Sequence, residues 1–315
     1  MLAIYLQQRF AELCPPEWRC RREVPLLAPA LARELGYAPR ADVLLERSDG
    51  TERLWIEFEV SRADPVANHA KFATAHLFEP QQPGDIFLAM VSPHVTRGRR
   101  NLASNMIALM RQVGMNAFQT VLVPNVAPDQ VKRLNHLSMD ALLREPFDAQ
   151  LEIDRPMTIV HPVHESSSWN VYLSSDISDV LLNVAYWNTE MADPAVREMW
   201  SRRTVTYFIY DQRSSLFAPS KFCAYLTRSA AHKDSLPLRA VRRVPMYIEI
   251  NRSGHIFDGG QAQTHLQQHL AMRPTESNDY QAVASAFAAW IPHYADAVAV
   301  HPQGPLFLVP PPWFV

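Results

Sequence analysis

The chain has 315 residues, 48% of them hydrophobic, with a formal net charge of -2. That is enough apolar material for one large domain or two modest ones. Near-neutral charge excludes a highly basic, chromatin-coating protein, although a local basic cleft remains compatible with it.

The amino terminus, Met1 to Arg9, lacks a basic leader ahead of an apolar run, so no signal peptide is expected. Pro25 to Leu35 reads as a short helix closed by Gly36. Arg40 to Glu46 reads as a strand, Ser48-Asp49-Gly50-Thr51 as a hairpin turn, and Leu54 to Val60 as the returning strand. Asp64-Pro65 then opens a helix running to about Phe78, with Val66, Ala70, Ala73 and Leu77 on one face. Gln82-Pro83-Gly84 breaks it. A strand over Ile86 to Val91, a helix over Leu102 to Val113 and a strand over Phe118 to Val123 follow, then an amphipathic segment from Pro128 to Leu143. This order predicts an α/β fold, a mixed central sheet flanked by helices, with an α+β second half. In that half, Asn170 to Leu173, Thr204 to Phe217 and Val241 to Ile250 are candidate strands, and Ala282 to Ile291 a helix. The proline-rich tail, Pro302 to Val315, suits extended chain or the cover of a dimer surface. The expected division is residues 1–135 and 136–315.

Chemistry concentrates in Trp55-Ile56-Glu57-Phe58-Glu59-Val60. Side chains alternate along a strand, so Glu57 and Glu59 share one face while Ile56, Phe58 and Val60 share the other. Asp42 lies fifteen positions before Glu57, and a hairpin brings the two across from one another. Converging carboxylates repel unless something positive neutralises them. A divalent metal answers that, and Mg²⁺ suits carboxylates, water and phosphate. Acids at alternate positions are also what a solvent-facing edge strand carries.

The layout resembles the PD-(D/E)XK nuclease superfamily, especially type II restriction endonucleases. The resemblance covers roughly residues 20–125. It implies a hairpin bearing an acid, matched by Asp42, then Glu-x-Lys, matched by Glu57 with Glu59 at the lysine position. The proline expected just before the first acid is displaced to Pro39. By the same resemblance Asp42, Glu57 and Glu59 hold the metal, Lys71 of the next helix stands in for the missing lysine, and Glu23 adds an outer acid. Lys71 equally suits a solvent-facing helix position, and Glu23 a helix start favoured by the macrodipole. His69 and His76 share the helix of Lys71 and offer ligating groups to the same cavity.

Cationic candidates for DNA contact are Arg62 at the strand end, Arg97, Arg99 and Arg100 beside Gly98, and the pairs Arg202-Arg203 and Arg242-Arg243. Residues 140–196 hold ten acids against two arginines, whereas 197–243 hold ten Lys/Arg against three acids, a net excess of seven positive charges. His161 and His164, or His265 and His269, make a poor zinc pattern, with no cysteine or carboxylate framework. No phosphate-binding glycine loop of the GxxxxGK[ST] or GxGxxG type is present.

The expectation is therefore a Mg²⁺-dependent, site-specific double-stranded DNA endonuclease. Its first half would be catalytic and its second half would recognise the target. A homodimer is expected because cutting both strands of a palindrome calls for two related sites. A repair or other defence nuclease on the same core, and a non-catalytic DNA-binding protein, are the alternatives. Three cysteines in no zinc pattern fit a reducing, cytoplasmic setting, and no apolar run reaches the ~20 residues of a membrane span.

Overall fold

Leu2, Tyr5, Leu6 and Phe10 recur at helical spacing and are buried on one side of the first helix, α1 (Leu2–Glu12). Strand β1 (Trp18–Pro25) follows and pairs antiparallel with β2 (Arg40–Arg47), which pairs antiparallel with β3 (Arg53–Glu59). Beyond β3 the pairing turns parallel, to β4 (Asp85–Val91) and β5 (Asn116–Val121). The sheet order is β1-β2-β3-β4-β5. This is the mixed sheet the element order predicts. The computed structural model describes residues 1–61, 64–167, 169–229 and 259–315. Arg62, Arg242, Arg243 and the strand expected over Val241 to Ile250 lie outside them.

Two parallel strands need crossover helices. Helix α3 (Val66–Phe78) supplies the first, and α4 (Arg97–Gln112) the second. Between β1 and β2 sits the short α2 (Pro29–Leu35). The apolar layer on the crossover side joins Phe72 of α3, Ile107 and Met110 of α4, and Phe87, Ala89 and Ala117 of the sheet. On the other side Phe58 meets Phe10 of α1 edge-on, ring centroids 5.0 Å apart. At the start of β3, Arg53 grips Asp85 through Nε and Nη2, at 2.5 and 2.7 Å, and so ties β3 to β4.

Two expectations need correcting. The buried face of α3 is His69, Phe72 and Ala75, and Leu77 is 67% exposed. A stripe counted on aliphatic residues alone overlooks His69 and rotates the helix. The helix expected over Leu102 to Val113 starts earlier: Arg97, Arg99 and Arg100 already lie in α4, behind the extended Thr96.

Helices α5 (Pro128–His136), α6 (Met139–Leu142) and α7 (Ala149–Ile159) complete the first of two compact units, Met1–Val160. α7 belongs here because its Glu152 and Arg155 are buried against the end of β5. There Glu152 accepts the Val123 N–H (3.0 Å), and Arg155 donates to the Val121 carbonyl (3.3 Å).

The second unit, His161–Val315, is α+β. Strands β6 (His164–Glu165) and β7 (Trp169–Leu173) lead to α8 (Ile177–Glu190) and α9 (Pro194–Trp200). The stretch expected as one strand over Thr204 to Phe217 is three: β8 (Arg203–Val205), β9 (Tyr207–Asp211) and β10 (Leu216–Pro219). After them come α10 (Ser220–Cys223) and β11 (Tyr225–Ser229). The later elements are α11 (Gly260–Gln268), β12 (Arg273–Pro274), α12 (Ser277–Trp290), β13 (Val298–Val300) and β14 (Leu306–Val309). Part of the proline-rich tail is extended chain, with turns on either side: β14 lies between β9 and β12 in the sheet β10-β9-β14-β12. Trp187, Trp200, Phe217 and Trp290 form the aromatic centre of this unit, and Asn188 accepts the Trp290 indole N–H at 2.8 Å. Among the described residues, no helix is long and apolar enough to cross a membrane.

Candidate active site

The antiparallel ladder pairs Val43 with Ile56 and, one step further, sets Asp42 level with Glu57. On the other side of β2, Arg22 pairs with Val43 and Val24 with Ala41, so Glu23 stands level with Asp42. Glu57 pairs in turn with Ala89 of β4. Three acids thus form one row across β1, β2 and β3, ending on a methyl group. Glu59 sits two residues beyond Glu57 on the same strand.

Burial separates this row from an ordinary polar face. β3 is the middle strand of five, and Glu57 and Glu59 are only 6% and 4% exposed. The solvent-facing edge-strand reading therefore fails for these two acids. An ionised carboxyl in such surroundings is costly unless it is paired or hydrogen-bonded.

The acids differ in how they are satisfied. Asp42 accepts the Phe58 backbone N–H at 2.7 Å and the Gln7 amide at 2.9 Å. The same Gln7 amide donates to Glu23 at 2.7 Å, so one buried glutamine of α1 bridges two acids of the row. Glu59 accepts the Asn68 side-chain amide at 2.8 Å. Asn68 accepts in turn from Lys71 Nζ at 3.1 Å. Among the described residues, no hydrogen bond reaches the Glu57 carboxyl.

Titration follows from these contacts. Burial first, then the neighbouring Asp42 and Glu59, pushes Glu57 up from 4.5 to about 9, while Lys71 draws it down. Burial also raises Glu59, against the Asn68 hydrogen bond. It raises Asp42 against the Phe58 and Gln7 bonds. At neutral pH the free site therefore keeps a proton on Glu57, and a cation would be needed to hold the row fully charged.

Several expected residues fall elsewhere. Glu23 is not at a helix start; it lies exposed in β1 with a left-handed φ of +51°. That conformation is strained for a side chain with a Cβ, and such strain gathers where geometry matters to function. Lys71 is exposed and reaches the acids only through Asn68 and through its charge. His69 turns into the core, edge-on to Phe87 at 5.5 Å, with neither ring nitrogen hydrogen-bonded to a described residue; burial depresses it to about 4, so it stays neutral. His76 is spent on the fold, bonded to the Gln81 N–H and the Val113 carbonyl. Gln7 and Asn68 were not anticipated, because a lone amide on an amphipathic helix carries no distinguishing pattern.

The arginines divide in the same way. Arg99 is exposed and Arg97 half-buried in the first turn of α4. Arg202 is exposed. Two others leave the exposed set as corrections. Arg100 is buried, 4% exposed, because the first turn of α4 carries it inward. Arg203 is buried because its Nε donates to the Trp200 carbonyl at 2.8 Å and its guanidinium lies over the Trp200 ring. Part of the positive excess after residue 196 is likewise absorbed by the fold. Arg197 pairs with Asp296, Arg213 with Asp211, and Arg228 packs on Tyr172.

Among the described residues, no group of three His, Cys, Asp or Glu side chains is drawn close enough to form a ready-made metal shell. His265 is bonded to the Ser174 carbonyl at 2.9 Å and lies beside His269. Mg²⁺ does not demand a closed protein shell. It keeps several waters and takes one or two carboxylates together with substrate phosphate. The hard oxygens of Asp42, Glu57 and Glu59 fit that donor chemistry. No protein-family model matches the chain, and neither curated proteins nor solved structures give a match to it.

Proposed function

We propose that this protein is a Mg²⁺-dependent, sequence-specific double-stranded DNA endonuclease of the type II restriction kind. The observation that carries the reading is the Glu57 carboxyl: buried, without a hydrogen bond from any described residue, and set beside Asp42 and Glu59. A fold that serves only its own stability gains nothing from such a group, whereas perturbed acids in one place mark functional sites.

In this reading Asp42 and Glu57 hold the ion, with Glu23 as an outer acid. Bound Mg²⁺ supplies charge stabilisation at the phosphoryl oxygens and acidifies a coordinated water. Glu59, fixed by Asn68, orients the attacking water and accepts its proton. Lys71 lends positive charge to the same side. Gln7 holds the Asp42 and Glu23 carboxylates in place. Arg97 and Arg99, in the first turn of α4, are the proposed phosphate contacts, because backbone amides at a helix start and guanidinium groups both favour a phosphate. Arg202, with Arg62, Arg242 and Arg243, completes the proposed backbone contacts. The first unit carries the chemistry and the second reads the target, as a homodimer on a palindromic site. The setting is cytoplasmic: Cys14, Cys20 and Cys223 are all free thiols, as a reducing compartment keeps them.

Incubating the purified chain with plasmid and phage DNA tests the proposal. Discrete fragments that require Mg²⁺ and vanish with EDTA are expected. Progressive degradation would instead indicate a repair-type nuclease. No cleavage across unmethylated DNAs and divalent ions would defeat both readings.

Asn68→Ala separates Glu59 from its support. Cleavage should fall roughly tenfold, the scale seen when partners of ligating or reacting groups are removed. The lost hydrogen bond had lowered the Glu59 pKa, so the acid limb of the pH–rate profile should move to higher pH. An unshifted limb would mean that Glu59 takes no part as a base.

A further inference from the structure

The second unit contains a cavity of about 240 Å³ that the proposed chemistry does not use. Tyr207 of β9, Gln263 and Gln267 of α11, Thr275 before α12, Tyr280 of α12 and Phe307 of β14 line it. Among the described residues, no charged side chain does.

Its polar groups are arranged for a ligand rather than for the fold. Gln263 and Gln267 stand four apart on α11, and the Gln263 amide donates to the Gln267 carbonyl oxygen. That single bond leaves the Gln263 carbonyl oxygen as an acceptor and the Gln267 amide nitrogen as a donor. Exchanging O and N in both amides still leaves one donor and one acceptor, so the pair offers both at once. The Thr275 hydroxyl is buried and has no hydrogen-bond partner among the described residues. A buried polar atom left unsatisfied calls for an occupant that satisfies it. At the rim, Tyr280 and Leu306 are 44% and 43% exposed, large apolar surfaces held in water. The Tyr280 ring lies 5.9 Å from that of Phe307.

We propose that this cavity is a nucleobase site. Its ligand is the neutral, planar nitrogen heterocycle of a nucleoside, stacked on Tyr280 and read along one edge by the Gln263–Gln267 pair and Thr275. The neutral side chains of the described lining argue for a base rather than a phosphate as the recognised group. The free donor and acceptor exclude a purely aliphatic ligand. Neighbouring donors and acceptors on a base edge are what a glutamine amide reads, and aromatic rings take bases by stacking. A base inside a duplex cannot reach such a pocket without leaving the stack, so an unpaired or extruded base is the form recognised.

The test uses the whole chain in EDTA with 2-aminopurine riboside, whose fluorescence is quenched on stacking. Saturable quenching is expected, with adenosine, cytidine, guanosine and uridine displacing the probe to different extents. Tyr280→Ala should weaken binding about tenfold, as loss of one stacking ring does. Gln267→Ala should level the differences among the four competitors. Should Tyr280→Ala fail to fold by circular dichroism, Gln267→Ala and Thr275→Val carry the test. Absence of saturable quenching, or quenching that all three variants leave unchanged, overturns the site. Because no metal is present, a chain without nuclease activity still gives a clear answer. An active nuclease that fails to quench the probe sinks the base site alone.

Discussion

Glu57→Gln should abolish DNA cleavage and, at alkaline pH, make the protein more stable. The loss of activity should be about a hundredfold or more, since the variant removes a charged oxygen ligand while keeping the shape. The gain in stability follows from proton linkage. The unfolded chain releases the Glu57 proton near 4.5, whereas the folded chain keeps it until about 9. Between those values the native state binds more protons than the unfolded one, so wild-type stability falls as pH rises through that window. Each pH unit of that difference is worth about 1.4 kcal/mol at most. Glutamine has no proton to lose and escapes the penalty. The melting temperatures of variant and wild type should therefore coincide near pH 4 and diverge steadily toward pH 9, by about 2–4 °C per kcal/mol. Adding Mg²⁺ at pH 8 should raise the wild type and leave Glu57→Gln nearly unmoved, because the ion stabilises only the state that binds it. A variant that is destabilised at every pH would assign Glu57 a structural role and sink the proposed site.

Glu152→Ala should be the most damaging single change to the stability of the first unit. Glu152 and Arg155 are 3% and 0% exposed and bonded to each other at 3.1 and 3.3 Å. Burial pushes the Glu152 carboxyl up and the Arg155 guanidinium down, and each partner opposes the shift of the other. Removing the carboxylate takes the ion-pair partner from the buried Arg155 and deprives the Val123 N–H of its acceptor. Losses of this type run to about 3–5 kcal/mol. Val123 adds to the sensitivity, because its φ of +48° is held only by what surrounds it. Urea unfolding of the full chain measures the effect. A Glu152→Met, Arg155→Leu double variant should recover most of the loss, since apolar replacement of a buried pair is often neutral. A single variant that loses less than about 1 kcal/mol would show that water or a neighbour takes over the guanidinium.

Much of the first unit was legible in the chain because its signals are local. Asp49-Gly50 marks the hairpin, Gln82-Pro83-Gly84 ends a helix, and the alternation through Ile56, Glu57, Phe58 and Glu59 fixes a strand with two acids on one side. β1 and α1 were not anticipated for opposite reasons. β1 is a charged edge strand, with Arg19, Arg21, Arg22 and Glu23 interrupting its apolar pattern. α1 does carry the helical spacing of Leu2, Tyr5, Leu6 and Phe10, a signal that length and periodicity would have revealed.

What the sequence determined by itself is the pair of acids on β3, the hairpin that returns Asp42 to them, and the alternation of elements that makes a mixed sheet. Those are consequences of periodicity and turn chemistry, which act within a few residues. Tertiary structure alone decided which charges are buried. It enclosed Glu57 between neighbouring strands with no donor among the described residues, supplied Gln7 and Asn68 from separate helices, and withdrew Arg100 and Arg203 from the surface. Desolvation depends on every atom that displaces water around a group, and those atoms come from distant parts of the chain.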